Sequence, residues 1–445
     1  MGFRAQIGLA LAAVLVGAVE ARAANHYVRQ GATGNGSGDD WTNAYTTLPA
    51  TLVRGDVYYF AAGSYSAYTF NDAASGATVI TIKKATAADP GTTLGWTDTY
   101  GAGVATFMGP LNFTTSNYVV DGMTGGGPNS WTTGFGFKIS HSGATPLLRV
   151  GSVSNISVRH IELQGTSNSA GGGSIAQDAV AVYGGGGVTL SYFYTHAIGR
   201  CPFFLVPAPD ITIEYGYVGT FVATSAAHAE VISTQDWNSG NLTFRYNLVT
   251  HIEGTGGIMW DNSGNHNSQA RIYGNVFYRA ANDSTWTEAN GVIGGWTGNN
   301  GEDCYNLRVY NNTFYNVNQL EFTDFITRSG NNDASNNIFY NSDAPSYADI
   351  QTHNYNHYIA SGGTQSEPNG TSAAGGDPFV SAAGLDFRLK AATGKGLALA
   401  APFNVDMYGN VRGADGTWDR GAVEFTNGST TAPPPAGPVN LRIIR

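Results

Sequence analysis

The chain reads as an all-β protein, a parallel β-helix in which short strands stack coil upon coil. The first observation behind this is a repeat. Four stretches share one pattern: Tyr246-Asn247-Leu248-Val249, Gly274-Asn275-Val276-Phe277, Asn311-Asn312-Thr313-Phe314-Tyr315 and Asn336-Asn337-Ile338-Phe339-Tyr340. Their second-position asparagines are separated by 28, 37 and 25 residues, a period that marks a stacked repeat. A side-chain amide both donates and accepts, so stacked asparagines form a ladder that satisfies backbone groups at a bend. Asparagine also tolerates the left-handed conformation that such a bend needs. The second observation is composition: 60 Gly and 24 Tyr with only 12% charged residues favour tight turns and strands over helices.

The elements follow in chain order. Arg4, the apolar run from Ile7 to Val19 and Ala21-Arg22-Ala23 predict a secretory signal peptide over residues 1–23. The run is too short to span a bilayer, and no later segment is apolar enough, so an exported chain without a membrane span is expected. Residues 24–425 form the predicted β-helix domain. Its N-terminal cap is expected to be helical, an amphipathic run over 41–53 opened by Asp39-Asp40 and followed by Gly55-Asp56. Alternating strands are predicted at 118–121, 156–159, 188–191, 211–214, 242–245, 270–273 and 307–310. A second strand in most coils falls at 180–182, 230–233, 257–260, 291–294 and 324–327. A C-terminal cap is expected over 377–425, where the coil period is lost. Residues 426–445 read as a Pro-rich linker and tail, because Pro433-Pro434-Pro435 cannot join a sheet.

Cys201 and Cys304 sit in an exported chain, where disulfides persist. Stacking argues against a bridge. About three coils separate them, an axial gap of roughly 14 Å, and a disulfide needs Cα atoms within about 7 Å. Both are expected to be unbridged.

Several segments resemble secreted right-handed parallel β-helix proteins of the pectate-lyase-like superfamily. The N-terminal residues are Tyr27-Val28, Gly36-Ser37-Gly38, Trp41, Ala44, Gly55-Asp56-Val57-Tyr58 and Ala62-Gly63-Ser64-Tyr65. Asn117-Tyr118-Val119-Val120-Asp121-Gly122 belongs with them. So do Asp377-Pro378, Asp386-Phe387-Arg388-Leu389, Asp406, Gly409 and Arg420-Gly421-Ala422-Val423-Glu424. The resemblance implies the handedness, which spacing does not. It covers lyases, hydrolases, epimerases and non-catalytic proteins, so activity has to come from the residues. Of the polygalacturonase-type hydrolase motifs, Asn-Thr-Asp and Arg-Ile-Lys are absent and the one Asp-Asp, Asp39-Asp40, lies in the N-terminal cap segment rather than on the coils; the Asp-Pro-His-Asp of mannuronan epimerases is absent too. No lysine lies between Lys138 and Lys390, which excludes a lysine base on the central coils.

One constellation stands out. Overlaying the coils puts His196, His251 and Arg279 level at the start of the loop after the Asn strand. His228 and Glu230 enter the strand one coil above His196, and Glu253 follows His251. With Arg200, Asp283 and Glu288 they make a polar edge on four coils. A His there accepts a proton near neutral pH, and Arg neutralises a substrate carboxylate or developing enolate. The expected catalytic residues are His228, His251, Glu230, Glu253, Arg200 and Arg279. The expected substrate-binding residues are Trp237, Trp260, Arg245 and His196, the tryptophans (with Trp286 and Trp296) offering flat faces to sugars. Solvated loop polarity and core filling compete with these assignments. No zinc spacing or dense Asp loop marks a metal site, though scattered Asp and loop carbonyls leave calcium open.

A net charge of −10 without a basic stripe excludes nucleic acid. The expected partner is a polysaccharide, met by a monomer. The leading reading is a polysaccharide lyase that cleaves a uronic-acid-containing glycan by β-elimination, with His228 or His251 as base and Arg200, Arg245 or Arg279 neutralising the carboxylate. The alternatives are a non-catalytic cell-surface or matrix protein that binds glycan or protein, and a glycoside hydrolase using Glu230 and Glu253.

Overall fold

The computed structural model describes residues 23–166, 176–223, 227–235, 240–261, 268–287, 291–295, 304–318, 320–322, 331–361, 366–394 and 396–427. The signal peptide apart from Ala23, the predicted strand at 324–327 and the tail beyond residue 427 therefore lie outside them. No described helix is long and apolar enough to cross a membrane.

The described chain is all-β, with a 22-stranded and an 8-stranded parallel sheet, an arrangement consistent with the expected β-helix. The central coils contribute to three ladders, and the last described ones, from Asp333 on, only to the first two. The first runs through strands such as Ile211–Glu214, Gly240–Arg245 and Ser268–Tyr273. The second runs through Tyr217–Val218, Leu248–Val249, Val276–Tyr278 and Thr313–Tyr315. The third, the 8-stranded sheet, includes Val180–Tyr183, Phe203–Val206, Glu230–Gln235 and Gly256–Asp261. Two long strands, Ser154–Gln164 and Gly186–His196, pass through the first corner unbroken and join the first two ladders into one sheet. Alternation puts Ile156, Val188, Ile211 and Leu242 in one buried row and Val158, Leu190, Ile213 and Phe244 in the next. Phe277, Phe314, Phe339 and Tyr358 continue the interior as a stack with ring centroids 5.1, 5.0 and 5.2 Å apart.

The corner between the first and second ladders carries the asparagines. Asn247, Asn275, Asn312 and Asn337 are fully buried, and Asn356 adds a fifth rung. Asn247 Oδ1 accepts Gly216 N–H at 2.9 Å, and from Asn275 on each Oδ1 accepts from both the backbone N–H and the Nδ2 of the asparagine one coil before. Asn275 Oδ1 receives Asn247 at 2.9 and 3.1 Å, and Asn312 Oδ1 receives Asn275 at 3.0 and 3.0 Å. Each Nδ2 also donates to a carbonyl one coil back, for example Asn312 to Ile272 at 2.8 Å. Glu367 ends the ladder by accepting the N–H and Nδ2 of Asn356 at 3.0 and 2.9 Å. The left-handed residue is not the ladder asparagine. It is the residue before it: Tyr246, Gly274, Asn311, Asn336 and Tyr355 all have φ between 53 and 66°. The asparagine itself is not left-handed and stands just ahead of the next strand with its side chain buried.

Two cap expectations are corrected. Residues 41–53 contain no helix, and the one α-helix among the described residues is Asp98–Gly101. Tertiary anchors hold the segment as turns: the buried Trp41 donates Nε1–H to Pro90 O at 3.0 Å, and Leu52 N–H donates to Asp72 Oδ1 at 2.6 Å. Residues 377–425 do not close an end alone but dock along the flank of the Asn corner. Tyr246 Oη donates to Val405 O at 2.9 Å, Asn336 Nδ2 to Leu397 O at 2.8 Å and Ala422 N–H to Thr313 Oγ1 at 3.0 Å. Met407, Tyr408 and Val423 bury apolar surface there against Tyr246, Tyr273 and Ile338. Both cysteines are unbridged and buried.

Candidate functional site

The second corner, from the second ladder to the third, spans 197–202, 219–229, 250–255 and 279–292, of which 224–226 and 288–290 lie outside the described residues. Register alone assembles its first cluster. Val180 pairs with Phe203 and Phe203 with Ile232, so Asp178, Cys201 and Glu230, two residues earlier in each case, lie side by side on successive rungs. Asp178 accepts Arg200 through Nε at 2.7 Å and Nη2 at 2.5 Å. The guanidinium also lies 4.1 Å over the Phe204 ring. Burial raises the Asp178 pKa against the pull of Arg200. Burial works against the Arg200 charge as well, but the paired carboxylate outweighs it and holds the proton more firmly. Cys201, buried beside Glu230 and Asp178, has its thiol pKa pushed well up and donates Sγ–H to Glu230 Oε2 at 3.3 Å.

Glu230 is fully buried and reaches outward to one group, His228, whose Nδ1 lies 2.5 Å from Glu230 Oε1. The His228 side chain is 49% exposed. A carboxylate on Nδ1 selects the tautomer that leaves the lone pair on Nε2. His228 is thus an exposed imidazole oriented by a buried acid, the arrangement a general base requires.

His251 is placed differently. It is 7% exposed, packs edge-on against Phe221 and has a carboxylate at each nitrogen: Glu253 Oε2 at 3.1 Å from Nε2 and Asp283 Oδ2 at 3.7 Å from Nδ1. Burial acts to raise the Asp283 pKa, but hydrogen bonds from Thr285 and the His251 charge hold it below the usual carboxylate range. His251 therefore pins its loop, and Thr255 N–H donates to Ala229 O at 2.9 Å, setting this loop one rung from the 228–230 segment.

The remaining expectations divide. Arg279 stays on the corner but turns back, donating Nε and Nη2 to Asp283 O at 3.1 and 3.0 Å. Arg245 belongs to the other corner, held by Glu214 at 2.6 Å and Tyr273 Oη at 2.8 Å. Trp260 is 1% exposed in the core, so it presents no face to a sugar; Trp286 is buried likewise. Trp237, Trp296 and Glu288 lie outside the described residues. His196 is not level with His251: Thr195 pairs with Val218 and Val218 with Val249, which puts His196 opposite Thr250. Its Nε2 meets Glu162 Oε1 at 2.9 Å instead. Among the described residues no group of three or more His, Cys, Asp and Glu could hold a metal ion. The partners missed by sequence reasoning were Asp178 and Cys201. Only the strand register of neighbouring coils could have revealed them.

No family model matches the chain, and no curated protein is similar to it at a significant level. Among solved structures it is similar to one titled "Crystal structure of Agl-KA catalytic domain", with a TM-score of 0.28 and 12% identity. The match covers 73% of this chain and 60% of that one, so the chain spans about three-fifths of that protein's length.

Proposed function

We propose that the chain is an exported right-handed parallel β-helix protein that cleaves a uronic-acid-containing polysaccharide by β-elimination at the corner of His228. The observation that carries this is the half-exposed His228 imidazole held by the buried carboxylate of Glu230. In this reading His228 Nε2 takes the proton from the carbon beside the uronate carboxyl group. The C–H electrons pass into a new C=C bond, and the glycosidic oxygen leaves with its bonding pair. Glu230 stabilises the imidazolium that forms. Arg200 is the candidate arginine that the fold brings to the Glu230 cluster; its bidentate bond to Asp178 keeps it rigid beside the developing charge.

A second reading rests on charge. This corner carries Asp178, Glu230, Glu253 and Asp283 against Arg200 and Arg279, an acidic balance that suits a neutral glycan better than an anionic one. There the half-buried Glu253 and His228 would serve hydrolysis. One experiment separates the readings: incubate the protein with a panel of uronate-containing and neutral polysaccharides, following ultraviolet absorbance of unsaturated product alongside new reducing ends. Absorbance lost in His228→Ala supports elimination, and reducing ends without absorbance support hydrolysis. No product from any polymer would leave a binding protein and end both enzymatic readings.

A further inference from the structure

The start of the first strand holds a buried acid that the His228 corner does not use. That strand, Asn25–Val28, pairs in parallel with Val57–Phe60, with Asn25 opposite Val57. The same register sets Ala24 beside Asp56, and Val57 N–H donates to Ala24 O at 2.9 Å. Asp56 is 6% exposed. Its Oδ1 accepts Ala24 N–H at 2.8 Å, and its Oδ2 lies 2.9 Å from His26 Nε2. His26 is fixed in turn by stacking on Tyr58, with ring centroids 4.7 Å apart. His26 is the one ion-pair partner of Asp56 among the described residues. A buried carboxylate is costly unless charge or hydrogen bonds compensate it, and a backbone amide is only a neutral donor.

Residue 24 is also where that donor can change. Ala21-Arg22-Ala23 closes the predicted signal peptide with the small-x-small pattern that precedes a cut. Hydrolysis of the Ala23–Ala24 bond by one water leaves Ala23 as a carboxylate and Ala24 as an ammonium. The donor at Asp56 Oδ1 then carries a full charge, and charge-assisted hydrogen bonds are roughly twice as strong as neutral ones. No neighbouring bond gives this result. Consecutive Cα atoms are about 3.8 Å apart, so a chain starting at Ala23 carries its charge one residue too far out and keeps a neutral amide at Asp56. A chain starting at Asn25 loses the donor altogether. Sequence pattern and strand register therefore single out one bond independently.

We infer that the chain is processed between Ala23 and Ala24, and that Asp56 holds the α-ammonium so formed and fastens the first strand with it. This rests on the export included in the proposed function. One test produces the full-length chain in a secreting bacterial host and identifies the first residue of the exported protein by mass spectrometry; that residue is Ala24. A second needs no export. Chains made to start at Ala24 or at Ala23, each with Asp56 or with Asp56→Asn, are treated with an amine-acylating reagent at neutral pH. The α-amine of the Ala24 chain is acylated several-fold more slowly than that of the Ala23 chain, and the Ala24 chain melts about 1–2 °C higher. Asp56→Asn removes both differences. The comparison of the two starts leaves every side chain of the first strand in place, so it decides the matter even if Asp56→Asn fails to fold. An exported protein with a different first residue overturns the inference and leaves export standing, whereas a chain neither exported nor cut overturns both. Equal acylation of the Ala24 and Ala23 chains overturns the pairing with Asp56 whatever the first test gives.

Discussion

Each coil turns into the second ladder and out of it again, and the two corners are built on opposite terms. The entry corner spends one left-handed residue and one buried asparagine, as at Tyr246-Asn247, and repeats this rung after rung. The exit corner spends loops of unequal length, 219–229 in one coil and 250–255 in the next. A short corner whose polar groups all bond to the neighbouring coil leaves nothing for a ligand. A long one leaves side chains such as His228 half in solvent. Stability is thus concentrated at the entry corner, and the proposed chemistry falls at the other.

The sharpest way to break this contrast is His228→Ala. Turnover on any polysaccharide the parent cleaves should fall by about 10²- to 10⁴-fold, with thermal melting nearly unchanged because the side chain is half exposed. A large loss of melting temperature would make His228 a structural residue. At the entry corner, Asn312→Ala should do the reverse and destabilise by about 1–3 kcal/mol, measured by denaturant unfolding, since it strands the donors of Asn275 in the core. A variant that unfolds like the parent would dissolve the ladder argument.

Gly274→Ala tests the left-handed residue itself. Its φ is +66° and an added Cβ would lie 2.6 Å from Tyr246 Cδ1, so a loss of about 1–2 kcal/mol is expected from the backbone alone. The same substitution made at an exposed, unconstrained glycine should cost less. A further effect concerns pH. Burial lowers the Lys84 pKa from 10.5 to about 8. Between those values the unfolded chain binds more protons than the folded one, so stability rises with pH across that window and is lost as pH falls through about 8. Melting curves from pH 7.5 to 10.5 should show this rise in the parent and a flatter profile in Lys84→Met.

The legible part of the fold was its local part. The asparagine repeat announced the entry corner because every rung needs the same backbone bend and the same amide. The reading slipped by one residue in assigning the left-handed conformation, since sequence spacing does not say which of two adjacent residues turns. Residues 41–53 looked like an amphipathic helix, but Pro90 and Asp72, distant in sequence, hold Trp41 and Leu52 in turns. At the site, His228 and Glu230 were readable as a pair because only Ala229 separates them. The supposed alignment of His196 with His251 failed because ladder register carries one residue of offset that loop lengths conceal.

By itself the sequence determined the all-β stacking, the buried asparagine rungs and the unbridged cysteines, because these depend on short-range geometry repeated at a period. Only the tertiary structure decided which polar side chains meet. Asp178 faces Arg200, Glu162 gathers Lys138 and His196, and Trp260 turns inward. The physical reason is that contacts between coils follow from parallel register, and a one-residue shift moves a side chain from the solvent face to the core.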